Sequence, residues 1–289
     1  MKLRVAIVGD VHEQWDERDR IALQSLAPDL VLFVGDFGNE AVSIVQQVAS
    51  LDLPKAVILG NHDAWYSATQ AGRDNAPYDR TQEDRLQQQL DLLGEEHVGY
   101  SKLEFPTLNL TVVGGRPFSW GGSEWKNKRF YRERYGIHNL KESIDRIVEQ
   151  IKMAQGEHLI LMAHNGPSGL GDRPRDPCGK DWNPVGGDHG DPDLEAAIAQ
   201  AQNLGKSIAL VTFGHMHHQL RHLSGQRCRF VQTDYTTYLN AACVPRVITS
   251  KTGTNRSFNL VTLEQGKVLD AAIVWLNDRD QVIDQDVLF

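Results

Sequence analysis

Five short apolar runs in this chain each end where Asp, Asn or His begins, and that recurrence constrains the fold more than any other feature. Leu3–Val8 opens into Gly9-Asp10-Val11-His12, and Leu30–Val34 into Gly35-Asp36-Phe37-Gly38-Asn39. Ala56–Leu59 opens into Gly60-Asn61-His62-Asp63, and Leu159–Ala163 into His164-Asn165-Gly166. Ile208–Phe213 opens into Gly214-His215-Met216-His217. Val, Ile and Leu dominate the runs, and each is too short for a helix, so they read as buried strands. In α/β sheets, ligands gather beyond the carboxyl ends of strands. Five such ends can therefore share one pocket, with glycines letting backbone approach closely.

A sixth apolar run, Leu108–Val113, also reads as a strand. Helical patterns lie between the runs, at about 17–27, 40–51, 80–93, 139–154 and 192–204. Thr81-Gln-Glu-Asp84 resembles a capping box, and Asp191-Pro192 places proline in a first helical turn. Alternating strands and helices predict a layered α/β fold. Residues 227–233, 257–264 and 268–276 read as strands without helices between them, which predicts a mixed, partly antiparallel sheet. The chain is read as one domain over 1–289, with long loops at about 64–79, 115–136 and 165–191. Loops of that length in a compact domain are usually functional or disordered, and their places after the motifs point to pocket walls.

The polar groups at the strand ends are Asp10, His12, Asp36, Asn61, His62, His164, His215 and His217. Oxygen and imidazole without thiolate suit Mn, Fe, Zn, Co or Ni better than Ca or Mg. Eight groups exceed the needs of one ion. Two ions about 3.5–4 Å apart, sharing a carboxylate, would use them economically.

Taken in order, Asp10-x-His12, Gly35-Asp36-x-x-Asn39, Gly60-Asn61-His62-Asp63, His164 and Gly214-His215-x-His217 resemble the calcineurin-like metallophosphoesterase family. Tyr238-Leu239-Asn240 resembles the family strand after the last histidine motif. The resemblance implies a four-layer sandwich, two mixed β-sheets flanked by helices, and two transition-metal ions (Mn, Fe or Zn). It implies that Asp10, His12 and His217 bind one metal, that Asn61, His164 and His215 bind the other, and that Asp36 bridges them. It further implies that a metal-bridging hydroxide attacks phosphorus while Asn61 and His62 contact the substrate, with His62 as general acid or transition-state stabiliser. Many family members carry Asp where this chain has Asn39. Asn39 can orient His62 but brings no charge to an imidazolium; Asp63, its neighbour in the motif, is the candidate compensating carboxylate.

Around this core, Arg116 and Asn165 are candidate substrate contacts, because each follows an apolar strand. Arg173, Arg175 and Lys180 are candidate anion contacts in the third loop, and His189 could reach the site from it. Trp65, Tyr66, Trp120 and Trp125 are candidate stacking groups or plain wall packing, whereas His218 and His222 read as structural.

Lys and Arg number 30 against 38 Asp and Glu, giving a formal charge of −8. That balance argues against a long nucleic acid as partner and favours a small phosphorylated substrate. Phosphodiesters and nucleotides are favoured, with a phosphomonoesterase or protein phosphatase as the alternative. A scaffold that keeps the fold without catalysis is the alternative of another class, opposed by the complete ligand set. The 3 cysteines, 178, 228 and 243, form no CxxC pair, so neither a disulfide framework nor a Cys-rich zinc site is expected. They fit a reducing cytoplasm. No cleavage-site pattern follows the first strand, and no apolar run approaches the length of a membrane span.

Overall fold

The structure, a computed structural model, describes every residue except Met1, Tyr235 and Thr252. Three parallel strands open it: β1 (Lys2–Val8), β2 (Leu30–Phe33) and β3 (Lys55–Val57). The chain then builds a second sheet from β4 (Lys102–Phe105), β5 (Leu110–Gly114), β6 (His158–Met162), β7 (Ser207–Phe213), β8 (Phe230–Gln232) and β9 (Thr237–Asn240). It returns to the first sheet with β10 (Val247–Ser250), β11 (Gly253–Glu264), β12 (Lys267–Leu276) and β13 (Val282–Val287). Among the described residues the first sheet runs β13-β12-β11-β1-β2-β3 with β10 on β11, and the second β4-β5-β6-β7-β9-β8. Each has parallel and antiparallel pairings, as the mixed pattern predicts.

Period-two alternation explains the layering. Along β1, Val5 and Ile7 pack with Leu32, Val112 and Ile160 in the core between the sheets. Ala6 and Val8 point the other way and pack with Val45 and Leu23 from the helical layer. Both faces are apolar, which is why the run reads as continuous Val and Ile. The helices are α1 (Glu17–Ser25), α2 (Val42–Ala49), α3 (Trp65–Ala68), α4 (Gln70–Asp74), α5 (Arg85–Leu93), α6 (Lys128–Tyr135), α7 (Leu140–Met153) and α8 (Pro192–Asn203). In α7, Asn139 caps the Glu142 N–H, and Ser143, Ile147 and Ile151 bury one face at a four-residue spacing.

Three readings change. The Thr81 box is not the start of a helix. Asp79 accepts the Thr81 N–H and hydroxyl in a turn, and α5 begins at Arg85 with Asp84 as its cap. The loops at 64–79 and 115–136 contain α3, α4 and α6, whose aromatic and arginine content hides the periodicity. Strands β4, β10 and β13 were not foreseen, because their residues are largely half-buried or exposed and carry no apolar run. The stretch 165–191 holds no helix or named strand, as read.

Candidate metal centre

The motif residues converge at the carboxyl ends of β1, β2, β3, β6 and β7. Four of them, Asp10, His12, Asp36 and His215, sit at φ between 44° and 65°. Left-handed backbone is uncommon for such residues, and its clustering marks a site where strain is held in place by surrounding structure. The structure over-determines these turns. Asp10 and His12 donate N–H to Gly35 and Asp36 carbonyls at 3.0 and 2.8 Å, zipping the first two strand ends together. The Asp10 carboxylate accepts the His215 N–H at 2.9 Å, and Asp36 accepts the His62 N–H at 2.9 Å. Glycines are required for this crowding. A Cβ on Gly60 would lie 2.3 Å from Asp36 Oδ1, and one on Gly214 2.3 Å from Asp10 Oδ2.

Among the described residues, three groups bring potential ligand atoms within 4.8 Å of one another: Asp10-His12-His217, His12-Asp36-His62 and Asp36-His164-His215. The first is the set expected from sequence for one metal; the third unites His164 and His215 of the other expected set with Asp36, the expected bridge, and the middle group shares His12 with the first and Asp36 with the third. Asn61 joins the third through Oδ1, 2.9 Å from His164 Nε2.

The hydrogen bonding shows that this donor set suits a cation. His164 Nδ1 faces the Val34 carbonyl at 2.8 Å, so it carries the proton there. Its Nε2 lone pair then faces Asn61 Oδ1 at 2.9 Å and Asp36 Oδ1 at 3.3 Å. Three acceptors around one space require a positive charge at its centre. The electrostatics agree. Burial works against a charged His164, but Asp36 and Asp10 overcome it and push the imidazole up to about 10, so a proton on Nε2 supplies there the positive charge that a bound cation would supply in its place. Burial and His164 hold His215 well below the usual range, leaving it a neutral donor. Asp36, despite burial, is held far down by His164 and the other histidines and stays ionised.

His62 Nδ1 meets Asn39 Oδ1 at 2.6 Å. A carboxamide oxygen only accepts, so Nδ1 carries the proton and Nε2 is left for the cavity that the ring lines. Asp63 does not compensate for the neutral Asn39. Its carboxylate accepts the backbone N–H groups of Asp36, Phe37 and Gly60 at 2.9, 2.8 and 2.6 Å, tying the second strand end to the third. It is a positioning residue because three donors pull its oxygens into the backbone. Asn240 has a similar part, donating to the Met216 carbonyl at 2.7 Å and so holding the turn between His215 and His217. His218 is structural as read, its Nε2 on the Asn240 carbonyl at 2.9 Å.

Above these groups lies a cavity of about 530 Å³. Trp65 stacks on His62 at 5.4 Å and 14°, and Trp120 tilts against Trp65 at 5.1 Å. Trp182 and His189 come from the third loop, and Lys126, Asp181, Arg221 and Arg227 complete the polar wall. Burial, then Lys126, lowers His189 to about 4, so it is neutral. Sequence reasoning missed Lys126, Asp181, Trp182, Gln219, Arg221 and Arg227, because isolated polar or aromatic loop residues carry no spacing signal.

Other expectations are corrected. Arg116 is 3% exposed, bonded to Asp191 at 2.8 Å and paired with Asp193 at 3.2 Å, and lies outside the cavity lining. A buried pair loses roughly 3–5 kcal/mol when one partner is removed, so Arg116 is an anchor of the third loop and no substrate contact. Asn165 is fully buried and donates to the His189 carbonyl at 2.9 Å and to Asp191, holding the wall from behind. Arg173, Arg175 and Lys180 do not line the cavity either; Arg175 reaches the Ser224 carbonyl at 3.1 Å. Trp125 packs on Tyr131 and under Arg116, while Tyr66 packs on Tyr78.

Strand ends from two mixed sheets, meeting in a strained cluster of carboxylates and imidazoles, define a metal-dependent phosphoester hydrolase. The calcineurin-like phosphoesterase family profile matches residues 3–219, and the chain belongs to that family. It is a metallophosphoesterase. Among solved structures, TT1561 of Thermus thermophilus is similar in fold, with a TM-score of 0.52, 10% identity and 100% of each chain covered. A dimetal phosphatase from Danio rerio is also similar, with a TM-score of 0.50 and 13% identity, covering 99% of this chain and 98% of that one. A comparison with curated protein sequences found no match.

Among the described residues, no helix is long and apolar enough to cross a membrane.

Proposed function

We propose that this protein hydrolyses phosphate esters with two transition-metal ions, Mn, Fe or Zn, on a small phosphorylated substrate, with phosphodiesters or nucleotides favoured. The observation that carries this reading is the pair of candidate ligand clusters, Asp10-His12-His217 and Asp36-His164-His215, which reach one cavity through His217, Asp36 and His215. In this reading Asn61 completes the second set and Asp36 serves both. Bound there, the ions supply Lewis-acid charge for phosphoryl oxygens and acidify a water nucleophile.

The chain's own residues do the rest. Asn39 holds the His62 ring through Nδ1 at 2.6 Å, so Nε2 faces the reacting phosphoryl group. A protonated Nε2 can deliver a proton to the leaving oxygen or hold a non-bridging oxygen. Trp65 limits rotation of that ring by covering its face. Lys126 and Arg221 give the cavity cationic groups for an anionic substrate, although the chain carries a net charge of −8. The three indoles Trp65, Trp120 and Trp182 on the walls favour a substrate with a planar or apolar portion beside its phosphate.

Elemental analysis of the purified protein, with a Mn-supplemented panel of monoesters, cyclic and linear diesters and nucleotides, tests this reading. Two metals per chain and a diester or nucleotide preference are expected. A metal-free protein that turns over nothing in the panel favours the scaffold alternative.

A further inference from the structure

A second cavity, of about 460 Å³, lies away from the metal cluster and shares no lining residue with the first. Four arginines face it: Arg73 on α4, Arg80 in the turn that follows, and Arg129 and Arg134 on α6. Against them stand two carboxylates, Asp84 and Glu133. The chain carries an excess of acidic residues, so a net positive cavity runs against its general charge. Glu133 is already spent on Arg129 at 2.7 Å, and Asp84 lies 3.7 Å from Arg134. Arg73 donates to the Ser67 and Ala68 carbonyls and to Gln70, all neutral acceptors. Arg80 feels the buried Glu40 through space, without an ion pair between them. Among the described residues, the Arg73 and Arg80 guanidiniums thus form no ion pair with a carboxylate.

We infer that this cavity is a second anion site, built for the phosphoryl group of a small phosphorylated molecule. Guanidinium forks match tetrahedral oxyanions in pairs of parallel hydrogen bonds. Forks from two separate segments, 73–80 and 129–134, would enclose such an anion from opposite sides. The site is linked to the catalytic wall through one short helix, α3, which carries both Ser67 of its lining and Trp65, the indole stacked on His62.

The test uses the metal-loaded full chain with inorganic sulfate and with phenylphosphonate, neither of which is hydrolysed. Thermal shift and calorimetric titration are run at fixed ionic strength. Arg80 and Arg129 are exposed, so the Arg80→Gln/Arg129→Gln variant is expected to fold normally and keep basal turnover. It should lose at least about tenfold in apparent affinity for both probes. A Lys126→Ala/Arg221→Ala variant, altered in the catalytic cavity, should keep that binding. Tighter binding of phenylphosphonate assigns the site to phosphorylated organic molecules, and equal binding to the inorganic anion; both support an anion site. Equal binding by wild type and the Gln variant overturns the proposal, as does no binding of either probe at matched ionic strength.

Discussion

The floor and the walls of the catalytic cavity are built by opposite means. The floor uses strand ends with left-handed candidate ligand residues, and glycines where an added Cβ would strike a carboxylate at 2.3 Å. Its side chains are locked by backbone N–H groups from neighbouring strands. The walls use loop residues, three indoles and several cations, fastened indirectly through Arg116-Asp191 and Arg227-Asp181 pairs. A floor held by strain and backbone tolerates almost no change, as chemistry on charged intermediates demands. A wall fastened from behind can change its face without losing its attachment, which is what substrate choice demands.

Asp36→Asn attacks the floor hardest. Several kcal/mol of charge complementarity are at stake, so kcat should fall on the order of 10³-fold or more. Metal content, measured by elemental analysis, should fall with it; near-normal turnover would remove Asp36 from the bridging role. Next comes His62→Ala. Removing a general acid costs roughly 10²–10⁴-fold for alkyl leaving groups but little for nitrophenol. If both substrates slow equally, His62 only positions phosphate. Asp63→Asn loosens three backbone bonds without touching the His62 ring. Its loss should be about 10–100-fold, similar for both leaving groups, and accompanied by weaker metal retention. A leaving-group-dependent loss would instead return Asp63 to the proton-transfer machinery.

Wall variants should separate from these. Trp182→Ala should raise KM by about tenfold for a nucleotide while kcat for a small aryl phosphate stays within about twofold. A fall in kcat for both substrates would erase the distinction between floor and wall. The smallest effect on turnover is remote from both. Burial lowers the His97 imidazole to about 4, and its Nε2 is sealed without a partner. The unfolded chain, with a reference value near 6.5, binds that proton first as pH falls. Stability should therefore be full above about 6.5 and decline toward 4, by at most about 3 kcal/mol for this group. Urea denaturation of wild type and His97→Phe, which keeps the ring against Phe118, should show a shallower acid decline in the variant. Parallel curves would mean that His97 takes up its proton alike in the folded and unfolded states.

This division also explains what could be read from the residues in advance. The floor was legible because each candidate ligand is anchored to the end of an apolar strand, so spacing along the chain maps directly onto spacing in the site. Asp10, His12, Asp36, Asn61, His164, His215 and His217 all arrive by that rule. Asn39 was legible with them, two residues beyond the turn at Phe37. Arg116 and Asn165 obey the same rule and mislead, because a residue after a strand can turn under the wall as readily as into the cavity. Burial by Asp191 decides between the two, and that partner lies 75 positions from Arg116 in the chain. Lys126, Asp181 and Trp182 lie on segments whose path is set by such distant pairs. The edge strands β4, β10 and β13 were equally silent, since a half-exposed strand needs no apolar run.

The Asp63 carboxylate fixes a distance as well as a shape. By gripping the Asp36 and Phe37 amides on one strand end and the Gly60 amide on the next, it sets the gap between Asp36 and Asn61. That gap is a property of backbone, set within the polypeptide itself. An ion arriving from solution must therefore match a gauge already cut, and its radius decides how well it is held. On the proposed metal-binding reading, selection among ions then begins with size, at a residue outside the candidate ligand set.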